Sequence, residues 1–406
     1  MARATLEEMA RIERAVVGEL RKRLRAGPNL LQVVVGPRQV GKTTALEHVM
    51  ASWRGGAHYA SADLPAPPDA AWIGAQWAVA REQAARRRTS TLLVLDEVQK
   101  VPRWSEVVKA EFDEDRRRRR PIRVVLLGSA ELLVARGASE SLAGRFERHF
   151  VPHWSLEECR RAFRWDLDRW LFFGGYPGAA PLVRSPARWV DYVRSSLIEP
   201  VVARDVLQLA QVAKPALLRR LLGATCAAPA EVVSLTKLLG QLQDAGNVVT
   251  LAHYLELLGS AFVVSGLQRW SPERARLRAS PPKLVFWSNT FVTASAGESF
   301  REARSRPERW GRLVENAVGA YLLAGAEREG FEVWYWRDGA DEVDYVVGRG
   351  DRVWAVEVKS GRPRSARGLA SFQRRYPKAR TLLVGSGGIP LADFFAAAPG
   401  DWLSGR

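Results

Sequence analysis

Cysteine is nearly absent. The 406 residues hold two, Cys159 and Cys226, and neither has metal-ligand spacing around it. That argues against a disulfide scaffold and a zinc ribbon, and a reducing compartment is the natural setting. Histidine is scarce too: the five form no ligand cluster, and His58 and His149 read as strand residues. No apolar run approaches the roughly 18 residues needed to span a bilayer, so no membrane partner is expected. The opening MARATLEEMARIERAVV carries early acids and no unbroken apolar stretch, so it does not read as a secretory signal. A cytoplasmic protein is the expectation. Lysine is also rare, with nine of the 61 basic residues against 52 arginines.

What is present is an ordinary globular mix, 47% hydrophobic and 26% charged, which excludes a mainly disordered or collagenous chain. At about 150 residues per domain the length suggests two to three domains. The formal charge of +17 points to a polyanionic partner, nucleic acid before an acidic membrane surface. Most of that surplus is arginine, so a solvated Arg surface accounts for much of it. Arg116–Arg120 and Arg86–Arg88 are runs that either track phosphates or sit in solvated loops. The 15 tryptophans are scattered and read as packing residues.

The first 150 residues alternate strand and helix. A charged amphipathic helix is expected over 5–25 and a continuously apolar strand at LLQVVV (30–35). A helix follows from Lys42 to about Trp53, with strands at 57–61, 91–95, 122–128 and near 147–151. This is the pattern of an α/β domain with a parallel sheet. Residues 155–265 read as mostly helical, interrupted by GGYPGAAP (174–181). Two helices within 234–259, joined at Gly246-Asn247 and followed by a strand over 261–270, outline a winged helix. From 308 a second α/β unit begins: a helix over 308–328, strands near 331–336, 342–347 and 353–358, a helix over 366–375 and a strand over 380–385. The expected regions are therefore 1–154, 155–295 and 296–406.

The strongest motif is Gly36-Pro37-Arg38-Gln39-Val40-Gly41-Lys42-Thr43-Thr44, which fits GxxxxGK[ST] between an apolar strand and a helix. Glycines let backbone N–H groups wrap a phosphate, and the helix N-terminus adds positive potential. Lys42 is expected to neutralise the β- and γ-phosphates, where a compact ammonium is not replaced by a planar guanidinium. Thr43 is expected to offer its hydroxyl to Mg2+, making ATP and Mg2+ the cofactors. LLVLD-E brings Asp96 and Glu97 to the C-terminal end of a buried strand, where α/β ligands bind. Asp96 is expected to hold Mg2+ and Glu97 to act as general base on the attacking water. Ser129 ends the next strand and is placed to sense the γ-phosphate. Arg145 and Arg148 are candidates for an arginine finger reaching a neighbouring subunit's nucleotide, or are surface arginines.

GPRQVGKTT, LLVLDEVQKVPRW, GSAELL, ESLAGR and GGYP, in this order, resemble the prokaryotic AAA+ ATPases related to the signalling-type and archaeal ATPase groups. The resemblance runs from about residue 10 to about residue 395. It implies a P-loop AAA+ core, a helical lid, a winged-helix middle and a family-specific C-terminal domain. Ala130 departs from the pattern, where a second small polar residue is common, leaving Ser129 as the sole sensor.

A second constellation lies near the C-terminus. Glu315 is on the first helix of the last unit, Asp344 on a strand, and Glu357 and Lys359 two apart on the next strand, hence on one side of it. The α-β-β-β-α-β order and the twelve residues between Asp344 and Glu357 resemble the PD-(D/E)XK restriction-endonuclase-like fold. That likeness implies Mg2+ on Asp344 and Glu357, a hydroxide oriented by Lys359, and Glu315 and Gln373 as further members. The alternative is an amphipathic strand with a solvated acidic face. The expected activity is an ATPase acting on DNA, self-associated as a ring. The alternatives are a branch-migration motor that does not cut and a nucleotide switch whose degenerate nuclease-like domain binds a protein partner.

Overall fold

The computed structural model describes residues 12–27, 29–128, 141–206, 212, 214–242, 246–272, 280–361 and 367–404. The chain divides into two compact units between Pro152 and His153. Residues 155–295 and 296–406, expected as two regions, cluster in one of these units.

The N-terminal unit begins with α1 (Ala15–Arg25) and alternates β1 (Leu31–Val35), α2 (Lys42–Ala51), β2 (Gly56–Ser61), α3 (Ala70–Arg87), β3 (Thr91–Asp96), α4 (Trp104–Arg117), β4 (Ile122–Leu127) and β5 (Phe146–Phe150). The strands form one sheet in the order β2-β3-β4-β1-β5, and every pairing is parallel. Every residue of β1 and β3 is buried, as expected of central strands covered on both faces. The register sets Asp96 beside Ser61 on one neighbour and Leu127 on the other. The α/β expectation with a five-stranded parallel sheet holds.

The C-terminal unit opens with α5 (Leu156–Phe163), started by the reciprocal capping box of Ser155 and Glu158, and α6 (Leu167–Phe173). Helices α7 (Pro186–Tyr192), α8 (Pro215–Cys226), α9 (Leu235–Gln241) and α10 (Val248–Ser260) follow, and then the antiparallel pair β6 (Val264–Leu267) and β7 (Lys283–Phe286). After α11 (Asn289–Ala296), α12 (Phe300–Ser305) and the 23-residue α13 (Pro307–Glu329) comes a second sheet. It is built from β8 (Glu332–Asp338), β9 (Asp341–Arg349), β10 (Arg352–Lys359) and β11 (Arg380–Gly385), with α14 (Arg367–Arg375) before the last strand. Its order is β11-β10-β9-β8, parallel only between β10 and β11. Short helices α15 (Leu391–Ala396) and α16 (Pro399–Ser404) close the chain.

Two contacts explain why the middle and last segments form one unit. Fully buried Asn316 of α13 accepts from the Phe286 amide at 2.8 Å, and its own amide donates to the Phe286 carbonyl and to Asn289 Oδ1. Asn289 in turn donates to the Leu171 and Leu313 carbonyls. GGYP packs into the same place. Gly174 has φ +73°, and a Cβ there would stand 2.2 Å from Thr290 Oγ1; one on Gly175 would stand 2.4 Å from the Trp154 carbonyl oxygen. That motif is a packing corner, and its glycines are needed for close approach. Among the described residues no helix is long and apolar enough to cross a membrane.

Candidate functional site

The loop from Gly36 to Gly41 joins the buried end of β1 to α2. Gln39 (φ +58°) and Gly41 (φ +88°) take left-handed conformations, which turn successive backbone N–H groups inward. Gly36 lies so close to β5's exit that a Cβ would stand 2.2 Å from the Val151 carbonyl oxygen. Gly41 is the N-cap of α2, and no side chain caps this end. The first amides of α2, from Lys42, Thr43 and Thr44, therefore have no intrahelical acceptor and face the loop as donors. Lys42 donates to the Gly36 carbonyl at 3.0 Å and to the Pro37 carbonyl at 2.7 Å. Thr43 is exposed.

Asp96 ends β3 with 8% of its surface exposed, and Glu97 follows in a left-handed conformation (φ +52°). Burial pushes the Asp96 carboxyl above the usual range, opposed by the hydrogen bond that Tyr59 donates to its Oδ2 at 2.6 Å. Gln99 Nε2 donates to Glu97 Oε2 at 2.7 Å. The donors of the loop and helix, with a buried carboxylate at the end of β3, fit a nucleotide's phosphates and Mg2+. Thr43 and Asp96 are the side chains that would hold the metal.

Three residues supporting this site escaped the motif reading. Arg14, 5% exposed, donates to the Val40 carbonyl at 2.9 Å and the Pro152 carbonyl at 3.0 Å, pinning the loop from behind. Tyr59 reaches Asp96 from the adjacent strand, and Gln99 holds Glu97. Nothing local marks Arg14 among 52 arginines. Tyr59 was findable only from the β2–β3 register.

The remaining candidates of this unit separate. Ser129 lies outside the described residues. Arg145 is held by Asp113 in two parallel hydrogen bonds of 2.9 and 3.0 Å, which lower the Asp113 carboxyl pKa. Arg148 lies on β5 with its guanidinium 5.9 Å from the centre of the Phe150 ring.

In the C-terminal unit Glu315, Asp344, Glu357 and Lys359 come together, joined by a residue the sequence reading did not single out. Lys283, the first residue of β7, has no exposed surface. Its ammonium lies 2.6 Å from Glu315 Oε1 and 3.5 Å from both Asp344 Oδ1 and Glu342 Oε1, and donates to the Asp344 carbonyl at 3.1 Å. It also sits 5.0 Å from the centre of the Tyr345 ring. Asp344 Oδ2 accepts from the Val358 amide at 2.8 Å, and Lys359 pairs with Glu357 at 2.5 Å. Burial first, and then the Asp344 charge, pushes the Glu315 carboxyl up to about 8 and that of Glu357 up to about 6. The surrounding carboxylates hold the Lys283 ammonium well above the usual lysine range despite its burial.

Two expectations change here. Gln373 donates to the Ala379 carbonyl at 2.8 Å and the Pro377 carbonyl at 3.4 Å, so its amide fastens the turn between α14 and β11. Among the described residues no three His, Cys, Asp or Glu side chains are grouped to hold a metal ion. The pair expected to hold Mg2+, Asp344 and Glu357, meets a different arrangement: the Lys283 ammonium lies among Glu315, Asp344 and Glu342, and Glu357 is paired with Lys359.

Sequence families divide the chain in three. Residues 29–160 match the AAA domain, 164–299 a domain of unknown function (DUF8612) and 310–393 a further domain of unknown function (DUF4143). The uncharacterized proteins Rv2008c of Mycobacterium tuberculosis and Mb2031c of Mycobacterium bovis are each 28% identical over 396 residues, covering 96% of this chain and 84% of theirs. Among solved structures, the Aeropyrum pernix ORC1 protein in complex with DNA aligns at 14% identity and a TM-score of 0.30, over 73% of this chain and 93% of its own. The Thermotoga maritima RuvB Holliday junction branch migration motor aligns at 17% identity and a TM-score of 0.31, over 67% and 95%. With the AAA match over 29–160 and the loop, sheet and acid pair built as above, the N-terminal unit is similar to P-loop domains of the AAA type.

Proposed function

We propose that the chain hydrolyses ATP with Mg2+ and uses the cycle to act on DNA. The observation that carries the hydrolytic half is the uncapped start of α2 together with the buried Asp96–Glu97 pair ending β3. Lys42 leaves the Gly36 and Pro37 carbonyls for the β- and γ-phosphates. Thr43 and Asp96 would hold the metal, which would supply charge neutralisation at the phosphates. Glu97 accepts the proton of the attacking water, and Gln99 orients its carboxylate. Ser129 is assigned its sensing role from the sequence alone. Arg145, with Lys109, Arg116 and Arg117, lines a surface hollow. In a ring, Arg145 or Arg148 would reach the neighbouring subunit's nucleotide; Arg145 would exchange Asp113 for phosphate.

The DNA half is supported by the +17 charge and by exposed arginines at 86–88 and 116–119. Helices α9 and α10 followed by the β6–β7 ribbon have the element order of a winged helix. The second of those helices, α10, carries no Lys or Arg and exposes Val249, His253 and Glu256. Contact with DNA would therefore run through arginines and phosphates, sequence-tolerant and steeply salt-dependent.

The second reading is a nucleotide-driven switch whose C-terminal sheet holds a protein partner. It is favoured by the neutralised acid cluster around Lys283, which leaves that sheet without visible chemistry. The test offers linear, single-stranded and branched DNA to the wild type, Lys42→Ala and Glu97→Gln, with and without ATP. DNA binding at moderate salt, with ATP turnover raised by DNA and lost in both variants, supports the first reading. Turnover without any DNA binding leaves the switch.

A further inference from the structure

The acids of the C-terminal unit are those on which the resemblance to a metal-dependent nuclease implied a cation. Four features decide what they hold. Lys283 is wholly buried, so its charge has no water to fall back on and depends on Glu315, Asp344 and Glu342. Its ammonium gathers carboxylate oxygens from three side chains and one backbone carbonyl, the kind of oxygen shell a divalent cation takes. The second oxygen of Asp344 is committed to the Val358 amide, and one oxygen of Glu357 to Lys359. Among the described residues two carboxylate oxygens of the cluster are buried without a hydrogen-bond partner, Oε2 of Glu357 and Oε1 of Glu315, and the second lies 2.6 Å from the Lys283 ammonium, so what is left falls short of the near-octahedral set Mg2+ needs.

The position is also held rigidly. A Cβ on Gly319 of α13 would stand 2.5 Å from Tyr345 Oη, so helix and strand approach at glycine distance. Tyr345 donates its hydroxyl to the Glu315 carbonyl at 2.7 Å, fixing the turn of α13 that presents Glu315. Lys283 enters from β7, whose next residues are held by Asn316 of the same helix through the Phe286 backbone. A divalent ion entering between Glu315 and Asp344 would have to displace a wholly buried ammonium.

We infer that Lys283 is the resident cation of this cluster, that the cluster takes no Mg2+ or Mn2+, and that its work is to bind β7 to α13 and β9. The C-terminal unit then cuts no phosphodiester by a metal-assisted route at this place. The inference is independent of whether the chain acts on DNA.

The test uses the full chain with Asp96→Asn, which removes the carboxylate of the nucleotide site, and no ATP. Free Mn2+ is followed by its electron paramagnetic resonance signal at millimolar metal. The expected result is no ion bound, and supercoiled and linear DNA left intact in Mg2+ or Mn2+. One Mn2+ bound per chain, and lost on adding either Asp344→Asn or Glu357→Gln, overturns the inference. An ion that both substitutions leave in place sits elsewhere and agrees with it. The decisive count is taken with Lys283 present, so it does not depend on a variant that fails to fold.

Discussion

Lys42 and Lys283 are both lysines in a chain that uses arginine almost everywhere else, and they sit in opposite surroundings. Around Lys42 the loop and the start of α2 present donors, and the ammonium donates to the Gly36 and Pro37 carbonyls of its own loop. Around Lys283 the carboxylates and the Asp344 carbonyl are acceptors, and the ammonium satisfies several at once. An array of donors around a cation is a site prepared for a charged ligand. An array of acids around a buried cation is already complete. The same side chain therefore marks a working site in one unit and a structural joint in the other.

The contrast can be broken most directly at Lys283. Replacing it with Met strands Glu315 and Asp344 in the interior, and losing one partner of a buried ion cluster costs about 3–5 kcal/mol. Chemical denaturation should show that loss, and Lys283→Met with Glu315→Gln should recover part of it. A loss under about 1 kcal/mol would mean the acids neutralise themselves by taking up protons. Lys42→Ala should behave the other way round. Its stability should stay within about 0.5 kcal/mol of wild type. Its ATP turnover should fall at least ~100-fold, the scale of removing one charge-stabilising group from a transition state.

The pH dependence sharpens the same difference. Glu357 has its carboxyl raised from the ordinary 4.5 to about 6, so the fold favours its protonated form. Stability from this group is greatest below about pH 4.5 and falls as pH rises toward 6. The shift corresponds to roughly 2 kcal/mol at most. Melting curves across that window should slope downward for the wild type and flatten in Glu357→Gln. The smallest effect is expected at Tyr59. Tyr59→Phe removes one hydrogen bond to Asp96, worth about 1 kcal/mol at a half-exposed phenol. It should leave Asp96 freer for Mg2+, read as a few-fold lower magnesium requirement in the ATPase assay.

Local signals account for what was legible beforehand. The P-loop, the acid pair and the strands of both sheets are written in contiguous residues, as apolar runs with a glycine turn or an acid at the end. The C-terminal elements from α13 to β11 fall within a few residues of the expected ranges for the same reason. What depended on tertiary pairing was not legible. Arg145 looks like a free finger until Asp113, 32 residues earlier, is seen beside it. Gln373 looks like a site residue until its amide is found on the Ala379 carbonyl. Lys283 lies in SPPKLVFW, where nothing local says its side chain points into a protein interior. The rarity of lysine applied to it as much as to Lys42 and Lys359 and was the one available cue.

The location of Lys283 has a practical side. It belongs to the stretch matched by the middle family, residues 164–299, whereas its acidic partners lie in the stretch matched by the last one, residues 310–393. Cutting the gene between those stretches would make a protein fragment that keeps Glu315, Glu342 and Asp344 but loses the Lys283 ammonium among them. Such a piece would either precipitate or draw a divalent ion from the buffer. A metal found in it would then be created by the cut, and would say nothing about the intact chain.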